Sequence, residues 1–278
     1  MWRFLLSVAI AICASQVALE LAILVFDEDV RLRQLVFRPG WMLLLLAGFV
    51  WMLTSLDGVR ERPLAAMGLP GGKLAIRHAL AGVGIGAAMA AVTVVVIALG
   101  ANLSFTAQLN LRRDFPTFLV EVFLVLSTGA MAEELIFRGY PFQRLVEATG
   151  AGGAVAVLSA LFGVMHLRNP NASTVGFLNT MLIGVLFAVA YLRARTLWAP
   201  WGMHWAWNTV IGLLGLPVSG IDMSIGVHAK VTGPAWLTGG AYGPEASVAC
   251  TLAVVGALVV AERSFRRDAE AETGIQPG

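Results

Sequence analysis

Charge is scarce in this sequence of 278 residues. Asp, Glu, Lys and Arg make up 13% of it and apolar residues 58%, against about 25% charged and about 45–50% apolar in soluble proteins. That composition excludes a water-soluble globular enzyme. Cysteine is nearly absent too. Cys13 and Cys250 lie in apolar segments at opposite ends of the chain, with no third partner and no Cys-x-x-Cys spacing, so neither a disulfide framework nor a zinc knuckle is encoded. The 19 basic residues barely exceed the 17 acidic ones, and they are scattered between apolar runs rather than gathered on a patch, so nothing points to nucleic acid. Histidine occurs four times, few enough for each to be weighed by itself.

What is abundant is long apolar sequence. A bilayer core about 30 Å thick is crossed by roughly 20 apolar residues in a helix, the conformation that satisfies its own backbone where lipid cannot. Such runs fall at 4–26, 41–56, 79–99, 116–137, 152–167, 174–192, 198–216 and 247–261, about eight in all. The separators suit membrane-surface loops: charged 27–38, Arg/Pro/Gly-containing 60–77, polar 168–173 and Gly-rich 217–245. No soluble domain fits between them. The expected fold is therefore all-α and polytopic: one bundle over residues 1–262, with a catalytic core at about 116–216 and a polar, disordered tail at 263–278. With the N-terminus inside, 12 of the 19 basic residues fall on the cytoplasmic side, which favours cytoplasmic N- and C-termini. Arg3 before an apolar stretch reaching Cys13-Ala14-Ser15 also fits a cleaved signal peptide. The apolar character continues to Phe26, longer than a signal core, and favours an uncleaved span.

An ionisable group inside such a span costs about 2.5–3.5 kcal/mol at mid-helix on insertion scales, which makes it a functional candidate by default. Here these are Glu20, Glu121, Glu133, Glu134, Arg138, His166 and His204, with Asn208 beside them. Glu134 and Arg138 are four apart and share a helix face, so they can pair, whereas Glu133 projects about 100° away and is left without a cation of its own. Desolvation and a neighbouring like charge make a carboxylate a better base, which suits proton abstraction. A Glu–Arg pair closing a helix at the membrane surface is the plainer reading, and both stay open. His166 lies one turn beyond Phe162, where a packing role competes with a chemical one. His204 and Asn208 also share a face, and together they can donate hydrogen bonds to one oxyanion. Trp198, Trp201, Trp205 and Trp207 around them fit an interfacial aromatic belt, which does not account for His204 or Asn208. His78, His228, Glu20 and Glu121 read as bystanders or packing residues. Folding 116–137 against 152–167 about Thr149-Gly150 sets Glu133 and His166 equally far from the turn, hence opposite each other.

Glu-Glu-x-x-x-Arg at 133–138, Phe-x-x-x-His at 162–166 and His-x-x-x-Asn at 204–208, in that order on successive apolar helices, resemble the CPBP intramembrane protease family of type II CAAX prenyl endopeptidases and bacteriocin-processing or immunity proteins. Phe137-Arg138-Gly139-Tyr140 and Thr196-Leu197-Trp198 add to the likeness, which covers about a third of the chain. The resemblance implies an intramembrane endopeptidase in which Glu133, helped by His166, activates water, His204 and Asn208 stabilise the oxyanion, and Glu134 and Arg138 orient the site. No cofactor is favoured. An older reading of the family makes Glu133, His166 and His204 ligands of a divalent metal, zinc by chemistry, although no His-Glu-x-x-His is present. The implied substrate is a membrane-associated peptide or protein, a lipidated tail among the candidates, met at the bilayer. The rival classes are a transporter or ion or proton channel using the same residues as a path, and a non-catalytic immunity or scaffold relative.

Overall fold

A computed structural model describes residues 1–26, 30–107, 116, 119–222 and 227–273. Parts of the expected charged loop (27–29), of the fourth span (117–118), of the Gly-rich loop (223–226) and of the tail (274–278) lie outside the described residues. The chain is an all-α membrane bundle, as the composition requires, with one small sheet.

Helix α1 (Trp2–Val25) packs on α2 (Val30–Ser55). The buried side of α1 is almost all small, with Ser7, Ala11, Ala14, Ala18 and Ala22 at helical spacing, and a β-carbon on Gly48 of α2 would come within 2.6 Å of Ile10. Small residues let helices approach closely where hydrophobic burial offers no driving force. At one end of this pair Asp57 accepts Arg3 at 2.5 Å and lies 3.5 Å from Arg144, which ties the pair to a later helix.

A short helix, α3 (Pro63–Ala66), leads to α4 (Gly72–Gly100). A π-helical stretch, Glu121–Leu126, then runs without a break into α5 (Ser127–Phe137), and α6 (Tyr140–His166) follows. Next come α7 (Thr174–Ala194), with Ser173 capping its first turn, and α8 (Trp198–Leu213). The short α9 (Ala235–Thr238) precedes α10 (Val248–Thr273). Helix α6 is two helices joined at Gly150, whose backbone (φ 77, ψ 167) is not helical and lies where side-chain-bearing residues are strained.

Six described helices are long and apolar enough to cross a membrane, so two of the eight expected spans take another form. The fourth and fifth merge into one apolar stretch, Glu121–His166, broken at Arg138-Gly139 and Gly150 instead of by a loop. The seventh becomes α8, only 16 residues long and packed among α4, α5 and α7, where it does not have to satisfy lipid on all sides. Irregular backbone at membrane depth is tolerated where protein surrounds it. Three further expectations change. The segment 30–38 is helical and starts α2. The tail is helical as far as Thr273. The loops contribute an antiparallel pair, β1 (Asn102–Ala107) with β2 (Val227–Thr232), in the register Asn102–Thr232 to Ala107–Val227, which alternation in two separate loops did not announce.

The most extensive helix contact is α4 with α8, and glycine makes it possible. Gly82 and Gly86, a small-xxx-small pair on α4, meet the backbone of α8 so closely that a β-carbon would fall 2.2 Å from the carbonyl oxygens of Ala199 and Met203 respectively. Gly202 of α8 makes the reciprocal approach, 2.5 Å from the Ala79 carbonyl oxygen. The chain entering α8 is held as well: Leu197 N–H donates to the Gly68 carbonyl (2.6 Å), the Trp198 indole to that of Pro70 (2.7 Å), and His78 shares a 2.9 Å hydrogen bond with Thr196. The residues that position His204 therefore lie largely outside the helix that carries it. Gly86→Leu is expected to push α8 off α4 at Met203, next to His204, and to destabilise the bundle by roughly 1–3 kcal/mol or more. Gly84→Leu, at a position with open space, is expected to be close to neutral. Thermal unfolding of the two variants in detergent checks this.

Candidate active site

Among the described residues Arg138 is the most buried Lys or Arg, 1% exposed, and Glu134 beside it is fully buried. The guanidinium donates to both Glu134 oxygens (3.1 and 3.2 Å) and, through its second nitrogen, to the Gly184 carbonyl of α7 (3.0 Å). Its remaining surroundings are aromatic: Phe162 at 4.8 Å, Phe187 at 5.3 Å and Phe137 at 5.6 Å. Paired, hydrogen-bonded and stacked, this charge meets the conditions for burial. Glu134 also receives His204, whose Nδ1 lies 2.8 Å from Oε1. As the carboxylate oxygen can only accept, Nδ1 carries the proton, and Nε2 is turned toward Glu133 Oε2 at 3.8 Å. Phe187 stacks on the His204 ring, with centroids 5.2 Å apart and planes 26° from parallel, and fixes its orientation.

His166 is held in the same manner. Its Nδ1 lies 2.7 Å from the Phe162 carbonyl oxygen and donates to it, which leaves Nε2 as the free ring nitrogen. The expected pairing of 116–137 with 152–167 is kept despite the inserted helix 140–149. The Phe137 and Phe162 rings, equidistant from residues 149 and 150 as are Glu133 and His166, meet edge to face at 5.0 Å.

Glu133, His166, His204 and Asn208 all line one cavity of about 630 Å³, together with Phe162 and Phe187. Glu134 and Arg138 form the buried layer behind it. The six site residues read from the sequence are thus brought together, four facing the cavity and two supporting it. Glu133 is the only one of the carboxylates here with an oxygen, Oε2, that is buried and has no hydrogen-bond partner. Glu121, expected to be a packing residue, also lines the cavity, while Glu20 is exposed on α1.

Three parts of the site escaped the sequence reading. Glu133 does have a cation within reach: Arg38 of α2 approaches its Oε1 to 3.8 Å and lines the cavity with Gln34. An arginine ahead of an apolar run reads as a loop flank, and only the helical start of α2 brings it inward. Glu245, at the end of the Gly-rich loop, is 4% exposed and accepts the Trp207 indole (2.7 Å) and the Ser219 hydroxyl (2.5 Å) at the cavity wall. An isolated acid in a loop carries no signal of that kind. Finally, the tryptophans that read as an interfacial belt each have a hydrogen-bond partner inside the protein. Trp201 donates to Ser127 and Trp205 to Val122 on the neighbouring helical stretch, Trp207 to Glu245 and Trp198 to Pro70, so their indoles fasten α8 to its surroundings.

Among the described residues, no three His, Cys, Asp or Glu side chains are grouped so as to hold a metal ion. Both His166 and His204 commit Nδ1 to the protein, which leaves Nε2 for proton handling or for ligation.

Fold and site define an integral, multi-pass helical membrane protein with a buried acid and histidine cavity. Residues 115–210 match the family model of the Rce1-like type II CAAX prenyl endopeptidases, which bears out the resemblance read from the three motifs. A relative in Bacillus subtilis (strain 168), YdiL, provisionally named a membrane peptidase, is 30% identical over 99 residues, 35% of this chain and 38% of that protein. The alignment thus spans well under half of the relative's length. No solved structure matches the chain.

The supporting layer should be detectable by stability alone. Glu134→Leu leaves Arg138 buried without its carboxylate and is expected to cost about 3–5 kcal/mol, while replacing both Glu134 and Arg138 by leucine recovers part of that loss. Denaturant unfolding of the single and double variants measures it.

Proposed function

We propose that this protein is an intramembrane endopeptidase that hydrolyses a peptide bond in or next to the bilayer, with Glu133 as the general base and no metal. The observation that carries the reading is the buried, partnerless Oε2 of Glu133 facing a cavity that His204, His166 and Asn208 also line. In the proposed reaction, Glu133 takes a proton from water as the water oxygen bonds to the scissile carbonyl carbon. His166, whose free Nε2 follows from its Nδ1 bond to Phe162, assists in orienting that water. His204 and Asn208 donate to the resulting oxyanion. Collapse of the tetrahedral intermediate breaks the C–N bond, and the proton held by Glu133 passes to the departing amine.

The His204 role has a specific requirement. Nδ1 is already spent on Glu134, so donation to an oxyanion must come from Nε2, and the ring must then carry both protons. Glu134 on one side and Glu133 on the other supply the negative charge that an imidazolium needs, and Arg138 holds Glu134 in place. The supporting pair thus acts on the chemistry through His204.

The substrate class follows from the place of the site and from the family: a membrane-associated peptide or protein, a prenylated C-terminal tail being the first candidate. The excess of basic residues in alternate loops supports cytoplasmic N- and C-termini. A metal reading would use Glu133, His166 and His204; among the described residues no three such side chains are grouped so as to hold an ion.

The test begins with the substrate. New protein termini in membranes of cells carrying the active chain are compared with those in cells carrying Glu133→Ala, and the peptide so found is assayed with purified protein. Glu133→Ala is expected to lose about 10²–10⁴ of the rate with its melting temperature kept. Cleavage at the wild-type rate would sink the assignment. Strong chelators are expected to leave the rate unchanged, whereas loss reversed by zinc alone would establish the metal reading.

A further inference from the structure

The geometry points to Arg38 as a positioning residue for Glu133. This rests on the reading of Glu133 as the base, and it adds a helix, α2, that lies outside the matched segment 115–210. The guanidinium is aimed by three contacts. Its Nη1 lies 3.8 Å from Glu133 Oε1. Its Nε donates to Gln34 Oε1 at 3.1 Å, one turn earlier on the same helix. Its stem lies over Gly129, one turn before Glu133 on α5, where a β-carbon would come within 3.2 Å of Arg38 Cδ and 3.3 Å of Nη1. The missing side chain at Gly129 is what lets an arginine from α2 reach along α5 to the carboxylate.

The two oxygens of Glu133 are then unlike. Oε1 faces the Arg38 cation, and Oε2 is buried, partnerless and turned toward His204 Nε2. A carboxylate clamped through one oxygen presents the other in a fixed direction, as a base must to take a proton from a bound water. Among the described residues that line the cavity Arg38 is the only Lys or Arg, set against Glu121, Glu133, Asp222 and Glu245. Its contact with Glu133 is longer than a hydrogen bond and partly exposed, the side chains being 27% and 19% accessible, so it steers the carboxylate instead of burying it.

Two measurements on the full-length purified protein test this. The first needs no substrate: labelling of Glu133 by dicyclohexylcarbodiimide, which attacks carboxyl groups in apolar sites that are not held as ion pairs, read by mass spectrometry. Arg38→Gln is expected to raise labelling of Glu133 several-fold, and Arg38→Lys, which keeps the charge, to stay near wild type. Equal labelling of wild type and Arg38→Gln overturns the proposal. The second uses the peptide identified by its new terminus. Arg38→Gln is expected to lower kcat about 10- to 100-fold with KM within about twofold, and Arg38→Lys to recover most of the loss. A raised KM with kcat unchanged would make Arg38 a substrate contact and overturn the positioning role. Full cleavage by Glu133→Ala would remove the base reading while the labelling result still decided whether Arg38 holds Glu133.

Discussion

The buried pair of Glu134 and Arg138 is the interaction on which the rest of the site depends. Two charges in a dry interior stay ionised only with close partners and with their remaining hydrogen-bonding groups met, and here one construction satisfies both. Arg138 spends its second nitrogen on the Gly184 carbonyl and its faces on Phe137, Phe162 and Phe187. Glu134 spends its spare capacity on His204. Each of those contacts fixes a different helix: α7 by its carbonyl, α6 by Phe162, α8 by the imidazole. The pair orients three helices and a histidine at once, and the cavity is the space left in front of it.

That construction explains why the backbone is least regular around the site. The π-helical turns before α5, the break at Arg138-Gly139 and the non-helical Gly150 all fall in the merged stretch Glu121–His166. An unbroken helix of that length could not fold Phe162 and His166 back beside Phe137 and Glu133. Backbone carbonyls of this stretch are also met from α8, Ser127 by the Trp201 indole and Val122 by the Trp205 indole. Glycine does the matching work between helices: Gly82 and Gly86 admit α8, Gly184 lies against Ser159, and Gly129 makes room for Arg38.

How legible the site was depended on how far apart its parts lie in sequence. Glu134 with Arg138, and His204 with Asn208, are four residues apart, and a helix brings each pair to one face whatever else the chain does. Glu133 and His166 were within reach of sequence reasoning because a turn between two apolar runs pairs residues equidistant from it, and the contact of Phe137 with Phe162 keeps that register. Arg38 lies nearly a hundred residues before Glu133, and Glu245 more than a hundred after it. No local periodicity connects residues so separated. The tryptophans of α8 show the same limit: their amphipathic rings suit a lipid interface and a helix contact alike, and composition does not reveal which carbonyls their indoles reach.

By itself the sequence determined the solvent, the class of secondary structure and the identity of the central polar groups. Scarcity of charge and long apolar runs leave few alternatives to membrane helices, and an ionisable residue among them is conspicuous for lack of company. The tertiary structure decided which apolar runs are separate spans, which helix is short and enclosed, and which distant polar residues join the site. Those outcomes depend on how closely helices approach one another. That distance is set by pairs of surfaces meeting across the bundle, such as Gly86 on Met203 or Gly129 under Arg38, and a one-dimensional pattern does not contain it.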